Sequence, residues 1–97
     1  PRTTLNALVN RTGFDGAPEG GWFPEQSVDV STALRAMSAG NAYAAFEENK
    51  LGALSVGRYA DFTVLDDDPA RINSEDLLQI GINMTVVGGV ITYQRQN

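Results

Sequence analysis

Chemistry in this 97-residue chain would have to start from a few side chains: the lone carboxylate Asp61, the triple-acid run Asp66-Asp67-Asp68, Arg11, Lys50, and the aromatic pair Trp22-Phe23 in a Gly-rich stretch. An isolated carboxylate beside a strand can act as a general base. The same position suits an Asp that accepts hydrogen bonds from nearby backbone donors, here those of the Gly57-Arg58-Tyr59 turn, and that structural role is the expectation. Three adjacent carboxylates suggest a calcium loop, but they lack the alternating ligand spacing and the downstream bidentate Glu that such a loop uses. A solvated turn is therefore expected at Asp66–Asp68. Trp22 and Phe23 could contact a ligand, since binding groups concentrate on loops, or could pack the loop down. Arg11 could meet a substrate carboxylate, although an ion pair with a neighbouring acid is the simpler expectation. Lys50, the only lysine, sits beside a turn and is expected to be exposed. No residue is assigned a catalytic, cofactor-binding or metal-ligating role.

The chain contains no histidine and no cysteine. It therefore cannot supply an imidazole base, a Ser-His-Asp or Cys-His triad, a thiolate nucleophile or a disulfide. A histidine- or thiolate-ligated zinc site is excluded for the same reason. Seven basic against twelve acidic residues give a net charge of -5 and leave no electrostatic footprint for nucleic acid. No apolar run approaches the ~20 residues of a membrane helix, and no leader peptide is recognisable, so a soluble, cytoplasmic protein is expected. The first residue is Pro1 rather than Met, which fits either processing or a piece of something longer. With 42% apolar residues and 20% charged, the composition is that of a folded domain.

The elements follow from periodicity. Leu5, Leu8 and Val9 share a helical face in the segment Thr3–Arg11, with Thr3 or Thr4 as expected N-cap and Gly13 as expected terminator. Residues 12–27, rich in Gly and Pro, read as loop. Val30, Ala33, Leu34 and Met37 mark an amphipathic helix capped by Asp29, and Gly40-Asn41 is expected to interrupt it before a second piece, 42–46, that stops near Asn49. From Leu51 the pattern becomes β-like: a strand over Ala60–Leu65, closed by the acidic turn and Pro69, then one helical turn from Ser74. Two apolar runs, Ile82–Val87 and Val90–Tyr93, flank Gly88-Gly89, which supplies the positive φ angles of a tight hairpin.

The run Leu51-Gly52-Ala53-Leu54-Ser55-Val56-Gly57-Arg58-Tyr59-Ala60-Asp61-Phe62-Thr63-Val64-Leu65-Asp66 follows a helix carrying Ala33-Leu34, Ser38 and Ala42. With the closing hairpin Val86–Tyr93, it resembles the C-terminal end of the amidohydrolase superfamily. The early segment Leu5–Arg11 is most similar to the amidohydrolase 3 branch, which includes N-substituted formamide deformylase-like proteins. That pattern is roughly A-L-x-x-x-T, then G-x-L-x-x-G-x-x-A-D-hydrophobic, then T-V-x-x-G and a hydrophobic strand ending in Tyr. Ser38 stands where the family usually has Thr.

The resemblance implies an α+β segment of a metal-dependent (β/α)8 barrel protein: residues 1–49 the terminal helices of the barrel, residues 50–97 the C-terminal strands of a small composite β-sandwich. It also implies attack of metal-activated hydroxide on a non-peptide carbon–nitrogen bond (amide, formamide or cyclic amidine), with deaminase chemistry as a variant. The divalent metal, zinc by the resemblance, is expected in the full-length parent and not in this segment, because the family's ligands lie elsewhere in its chain. The expected role of the segment alone is structural and inactive. Its expected partners are the N-terminal part of its own polypeptide and, in the parent, a small-molecule substrate, with neither nucleic acid nor membrane. Open strands would also let it form a homo-oligomer. A different class is a stand-alone β-rich module that binds a partner by strand addition.

Overall fold

The computed structural model describes residues 1–96. They form two compact units: Pro1–Leu34 with Asp67–Ile80, and Arg35–Asp66 with the chain from Gly81 onward. At the coarsest level this is a small α+β piece of helices and three antiparallel strands, the class expected. No helix is long and apolar enough to cross a membrane among the described residues.

In the first unit α1 spans Arg2–Asn10 and buries Leu5 and Asn6. Thr3 and Thr4 do not cap it. The helix starts a residue earlier, at Arg2, so both threonines already lie in its first turn, and the N-cap is Pro1, whose carbonyl accepts from Leu5 N–H at 2.9 Å. Nor does Gly13 end it. Arg11 takes the left-handed conformation (φ 57°, ψ 34°) and its N–H bonds the Ala7 carbonyl at 3.1 Å, the αL termination that usually falls to Gly. Both ends of α1 are strapped to the 3-10 turn Ser74–Gln79 and the residue after it. Arg2 Nη1 donates to the Ile80 carbonyl at 2.9 Å, and Asn10 Nδ2 donates to the Ser74 carbonyl at 2.7 Å. Between these straps Leu77 and Ile80 are buried, with Leu77 fully so. Within the expected loop 12–27, Pro24–Gln26 forms a short 3-10 turn. The helix α2, Val30–Arg35, starts where expected: Asp29 Oδ1 accepts from Thr32 N–H at 2.7 Å, and Ala33 is fully buried.

In the second unit the helical path continues through a π-helical turn, Ala36–Gly40, into α3, Asn41–Ala44. Gly40 does not interrupt it: its φ and ψ of -64° and -42° are helical, and Asn41 Nδ2 donates to the Met37 carbonyl at 3.0 Å. The added residue of a π-turn is absorbed without breaking the helix. Termination comes at Phe46 rather than near Asn49. Phe46 sits at φ 59°, its N–H bonds the Tyr43 carbonyl and Glu47 N–H bonds the Ala42 carbonyl, a Schellman motif with an aromatic residue in the place Gly usually holds.

The strands β1 (Phe62–Leu65), β2 (Ile82–Val87) and β3 (Val90–Gln94) form one antiparallel sheet in the order β1-β2-β3. β1 begins two residues later than the expected Ala60, because Ala60 and Asp61 are engaged with the hairpin tip as described below. Phe62 pairs with Val86 and Val64 with Met84, and Val86 in turn pairs with Ile91. Alternation puts Phe62, Val64, Val86 and Ile91 on one face and Val87, Val90 and Tyr93 on the other, so apolar groups populate both. Of these only Val86 is buried.

The 51–54 loop lies directly on the helix. A Cβ at Gly52, whose φ is +93°, would come within 2.8 Å of Ala42 Cβ and 2.9 Å of Ala39 Cα, whereas one at Gly57 (φ +91°) would meet nothing. Gly52→Ala therefore carries both the positive-φ strain and a clash, and Gly57→Ala the strain alone. We expect Gly57→Ala to cost about 1–2 kcal/mol and Gly52→Ala clearly more, by about a further 1–3 kcal/mol. Denaturant midpoints read this, and equal midpoints for the two variants would contradict the close packing of the loop on the helix.

Candidate functional site

Asp61, the most tempting general base, is a structural clasp. Its Oδ1 accepts from Gly88 N–H at 2.6 Å, and the neighbouring Ala60 carbonyl accepts from Gly89 N–H at 3.0 Å. The expected acceptor role is present, but at a different turn: in the Gly57-Arg58-Tyr59 segment it is the Tyr59 carbonyl that accepts, from Asp61's own N–H at 3.0 Å. The reason lies in supply and demand. Gly88 and Gly89 both have positive φ (58° and 79°), a type I′ arrangement that leaves their N–H groups outside the hairpin ladder and in need of acceptors. Asp61 also borders an open cavity of about 510 Å³ beside Met37, Ser38, Asn41 and Leu54.

The three acids of the turn do not act together. Asp66 binds Arg95 through two parallel hydrogen bonds, Arg95 Nη1 to Oδ2 at 2.6 Å and Nη2 to Oδ1 at 2.9 Å. Its backbone N–H donates to the Gly81 carbonyl, and a Cβ on Gly81 would fall on the Asp66 carboxylate, so the bare backbone there makes room for the pair. The Arg95 hydrogen bonds hold the Asp66 carboxyl below the usual carboxylate range, and the same contact raises Arg95. Asp68 instead closes its own turn, with Oδ1 accepting from Ala70 N–H at 2.9 Å and Oδ2 near Arg71 Nε at 3.4 Å. Such separated, already occupied oxygens do not suit a divalent cation. No group of three or more His, Cys, Asp or Glu side chains comes together among the described residues.

Arg11 does not find the acid expected for it. Its guanidinium lies over the Trp22 ring, 5.5 Å from the centroid, and its Nε donates to the Trp22 carbonyl at 2.9 Å. Trp22 N–H returns a bond to the Arg11 carbonyl at 2.7 Å. Phe23, held at φ 49° and ψ 60°, meets Trp22 edge-to-face with centroids 4.8 Å apart. The two rings are nonetheless 62% and 50% exposed, so the loop is organised without being packed away. Gly21 permits this return of the chain: a Cβ there would stand 2.5 Å from the Asn10 carbonyl oxygen. Lys50 is exposed, as expected.

A polar network in α1 escaped sequence reasoning. Asn6, 3% exposed, donates from Nδ2 to the Thr12 carbonyl and hydroxyl at 3.2 and 3.0 Å, and its Oδ1 accepts from Asn10 Nδ2 at 2.8 Å. The available signal was the i, i+4 spacing of two asparagines on the helix. A buried amide must find partners, and this one does.

Comparison with known proteins adds the family. The model of the amidohydrolase family (Amidohydro_3) matches residues 1–93. The chain belongs to the amidohydrolase family. It is 30% identical over 95 residues, 98% of its length, to the N-substituted formamide deformylase of Arthrobacter pascens. It is 33% identical over 70 residues, 72% of its length, to YtcJ of Bacillus subtilis (strain 168), which carries an amidohydrolase name. The protein LONG AFTER FAR-RED 3 of Arabidopsis thaliana shares 35% over 72 residues, 74% of the chain. The chain spans only 17%, 13% and 12% of these relatives' lengths, so it corresponds to a segment of them. No solved structure matches it significantly. Set on this amidohydrolase segment, Ala60-Asp61 and Gly88-Gly89 are the two ends of one contact.

Two outcomes are expected from this geometry. Asp61→Ala should speed amide exchange at Gly88 by about tenfold or more while exchange at Gly52 is unaffected, since a hydrogen bond to a charged acceptor is lost only at the hairpin tip; unchanged Gly88 protection would remove the clasp. For Asp66 the folded-state value is depressed, so its contribution is fully present above the unfolded carboxyl value of about 3.9 and is lost as pH falls through the lower folded value. The destabilisation caused by Asp66→Asn, read from urea midpoints, should therefore be constant at neutral pH and shrink below about pH 4. A difference that persists unchanged to the lowest accessible pH would refute the pairing.

Proposed function

We propose that this chain is the C-terminal segment of a metal-dependent hydrolase that cleaves non-peptide carbon–nitrogen bonds of amide, formamide or cyclic amidine type, and that its contribution there is structural. What carries the reading is the amidohydrolase match over residues 1–93, joined by a relative named for formamide deformylation. On this reading residues 1–49 supply the terminal helices around the barrel and residues 50–97 the C-terminal strands of the composite sandwich. The metal, zinc in this reading, would be held by residues outside the chain: Asp61, Asp66 and Asp68 are committed to Gly88, Arg95 and Ala70, and among the described residues no three His, Cys, Asp or Glu side chains gather into a ligand set. The cytoplasm is the proposed compartment.

The sheet supports a structural role on physical grounds. β1 and β3 each keep one unpaired edge, and apolar side chains stand on both faces, with Val90 65% and Ile91 52% exposed. Unpaired edges and bare apolar faces call for further strands, which the N-terminal part of the same polypeptide would provide. Isolated, the same edges favour self-association.

The test is made on the full-length parent polypeptide. Formate release from N-substituted formamides should be detectable and should fall at least tenfold when the divalent metal is removed, returning on its restoration. Val86→Asp, which places a charge in the buried centre of the sheet, should lower the yield of folded, metal-loaded enzyme without changing KM for the remaining active fraction. A parent that hydrolyses no amide, formamide or amidine, or whose KM moves with sheet substitutions, would sink this reading.

A further inference from the structure

Beneath Trp22 the first unit contains a cavity of about 230 Å³ whose walls include Ala7, Arg11, Thr12, Pro18 and Trp22. We propose that this cavity is a binding site for a small aromatic carboxylate. Its volume lies below the roughly 300 Å³ at which pockets for drug-sized ligands begin, which restricts the occupant to about one ring with a short substituent. Its chemistry is divided: Ala7, Ala17 and Pro18 are apolar, Trp22 offers a ring, and Arg11 and Thr12 offer donors.

The donors are in an unusual state. Arg11 spends only Nε on the protein, and among the described residues no carboxylate pairs with its guanidinium, leaving the Nη1 and Nη2 hydrogens uncommitted. A partly buried guanidinium without an acid is an anion receptor waiting for two parallel hydrogen bonds. The Thr12 hydroxyl accepts from Asn6 Nδ2 at 3.0 Å, so its own hydrogen remains to be donated. No acidic side chain is among the lining residues; the acid beside them, Asp15, already accepts from the backbone N–H of the wall residue Ala17 at 3.0 Å, and the net charge of -5 otherwise acts from distances at which salt screens it. The aromatic half of the ligand is argued from Trp22 and Phe23. Their edge-to-face pair is exposed yet fixed, with Phe23 in a left-handed conformation that a bulky side chain adopts at a cost, the kind of strain that concentrates at ligand-binding sites. A third ring laid against the Trp22 face would complete the cluster and place its carboxylate at Arg11.

The inference goes beyond the hydrolase reading and does not rest on it, because its test reads binding rather than turnover. The full-length parent is titrated calorimetrically with benzoate, benzamide and acetate. Benzoate should bind saturably and both controls at least about tenfold more weakly, since one lacks the charge and the other the ring. Arg11→Gln should raise the benzoate Kd about tenfold and leave benzamide unchanged. Trp22→Leu, at an exposed position that spares the fold, should weaken benzoate about fivefold without affecting acetate, and bound benzoate should show nuclear Overhauser contacts to the Trp22 indole. No saturable benzoate binding, or a benzoate affinity that Arg11→Gln and Trp22→Leu both leave untouched, would overturn the site.

Discussion

A two-residue hairpin closed by Gly88-Gly89 turns two backbone N–H groups outward at its tip, and whatever accepts them fixes where that tip lies. Here both acceptors come from consecutive residues of another part of the second unit, Asp61 through its carboxylate and Ala60 through its carbonyl. The consequence is a register. Phe62, the next residue, falls opposite Val86, Val64 opposite Met84, and the apolar residues of β1 are kept on the face that holds Val86. A slip by one residue would invert every side chain of β1, so one charge-assisted contact at the strand's beginning settles the orientation of everything after it. At the other end of β1 the Asp66–Arg95 pair closes the same sheet from β1 across to the residue following β3. The sheet is thus pinned at both ends by carboxylates, the residues that also look most catalytic in the sequence.

That double meaning explains what could and could not be read in advance. The hairpin was legible because Gly-Gly between two β-branched runs has few other uses, and the Asp29 cap because a short acceptor before an amphipathic helix satisfies its first N–H groups. The family was legible because Gly52, Gly57, Ala60-Asp61 and the Gly88-Gly89 hairpin come in order along the chain. What local rules could not supply was the long-range partner. Asp61 was expected to serve the turn next to it and serves a turn 27 residues away; Arg11 was expected to meet an acid and meets Trp22. The helix ends were misplaced for a related reason. Arg11 and Phe46 adopt left-handed backbone that propensity assigns to Gly, and at Arg11 the bonds to Trp22 offset that cost.

The apolar inventory bears on what this segment needs around it. Among the described residues six hydrophobic side chains are buried, and three of them are alanine-sized or valine: Ala33, Ala42 and Val86. Against them stand fourteen large hydrophobic side chains that remain substantially exposed, among them Phe14, Phe46 and Val56. Single exposed apolar residues are ordinary, but contiguous ones on both faces of a three-stranded sheet are not, because such a sheet ordinarily buries at least one. At about 25 cal/mol per Å² of apolar area, covering such surfaces yields far more than any hydrogen bond described here. The clasps at Asp61 and Asp66 set the geometry in which those surfaces are presented, and burial by neighbouring chain would supply most of the free energy that keeps them there.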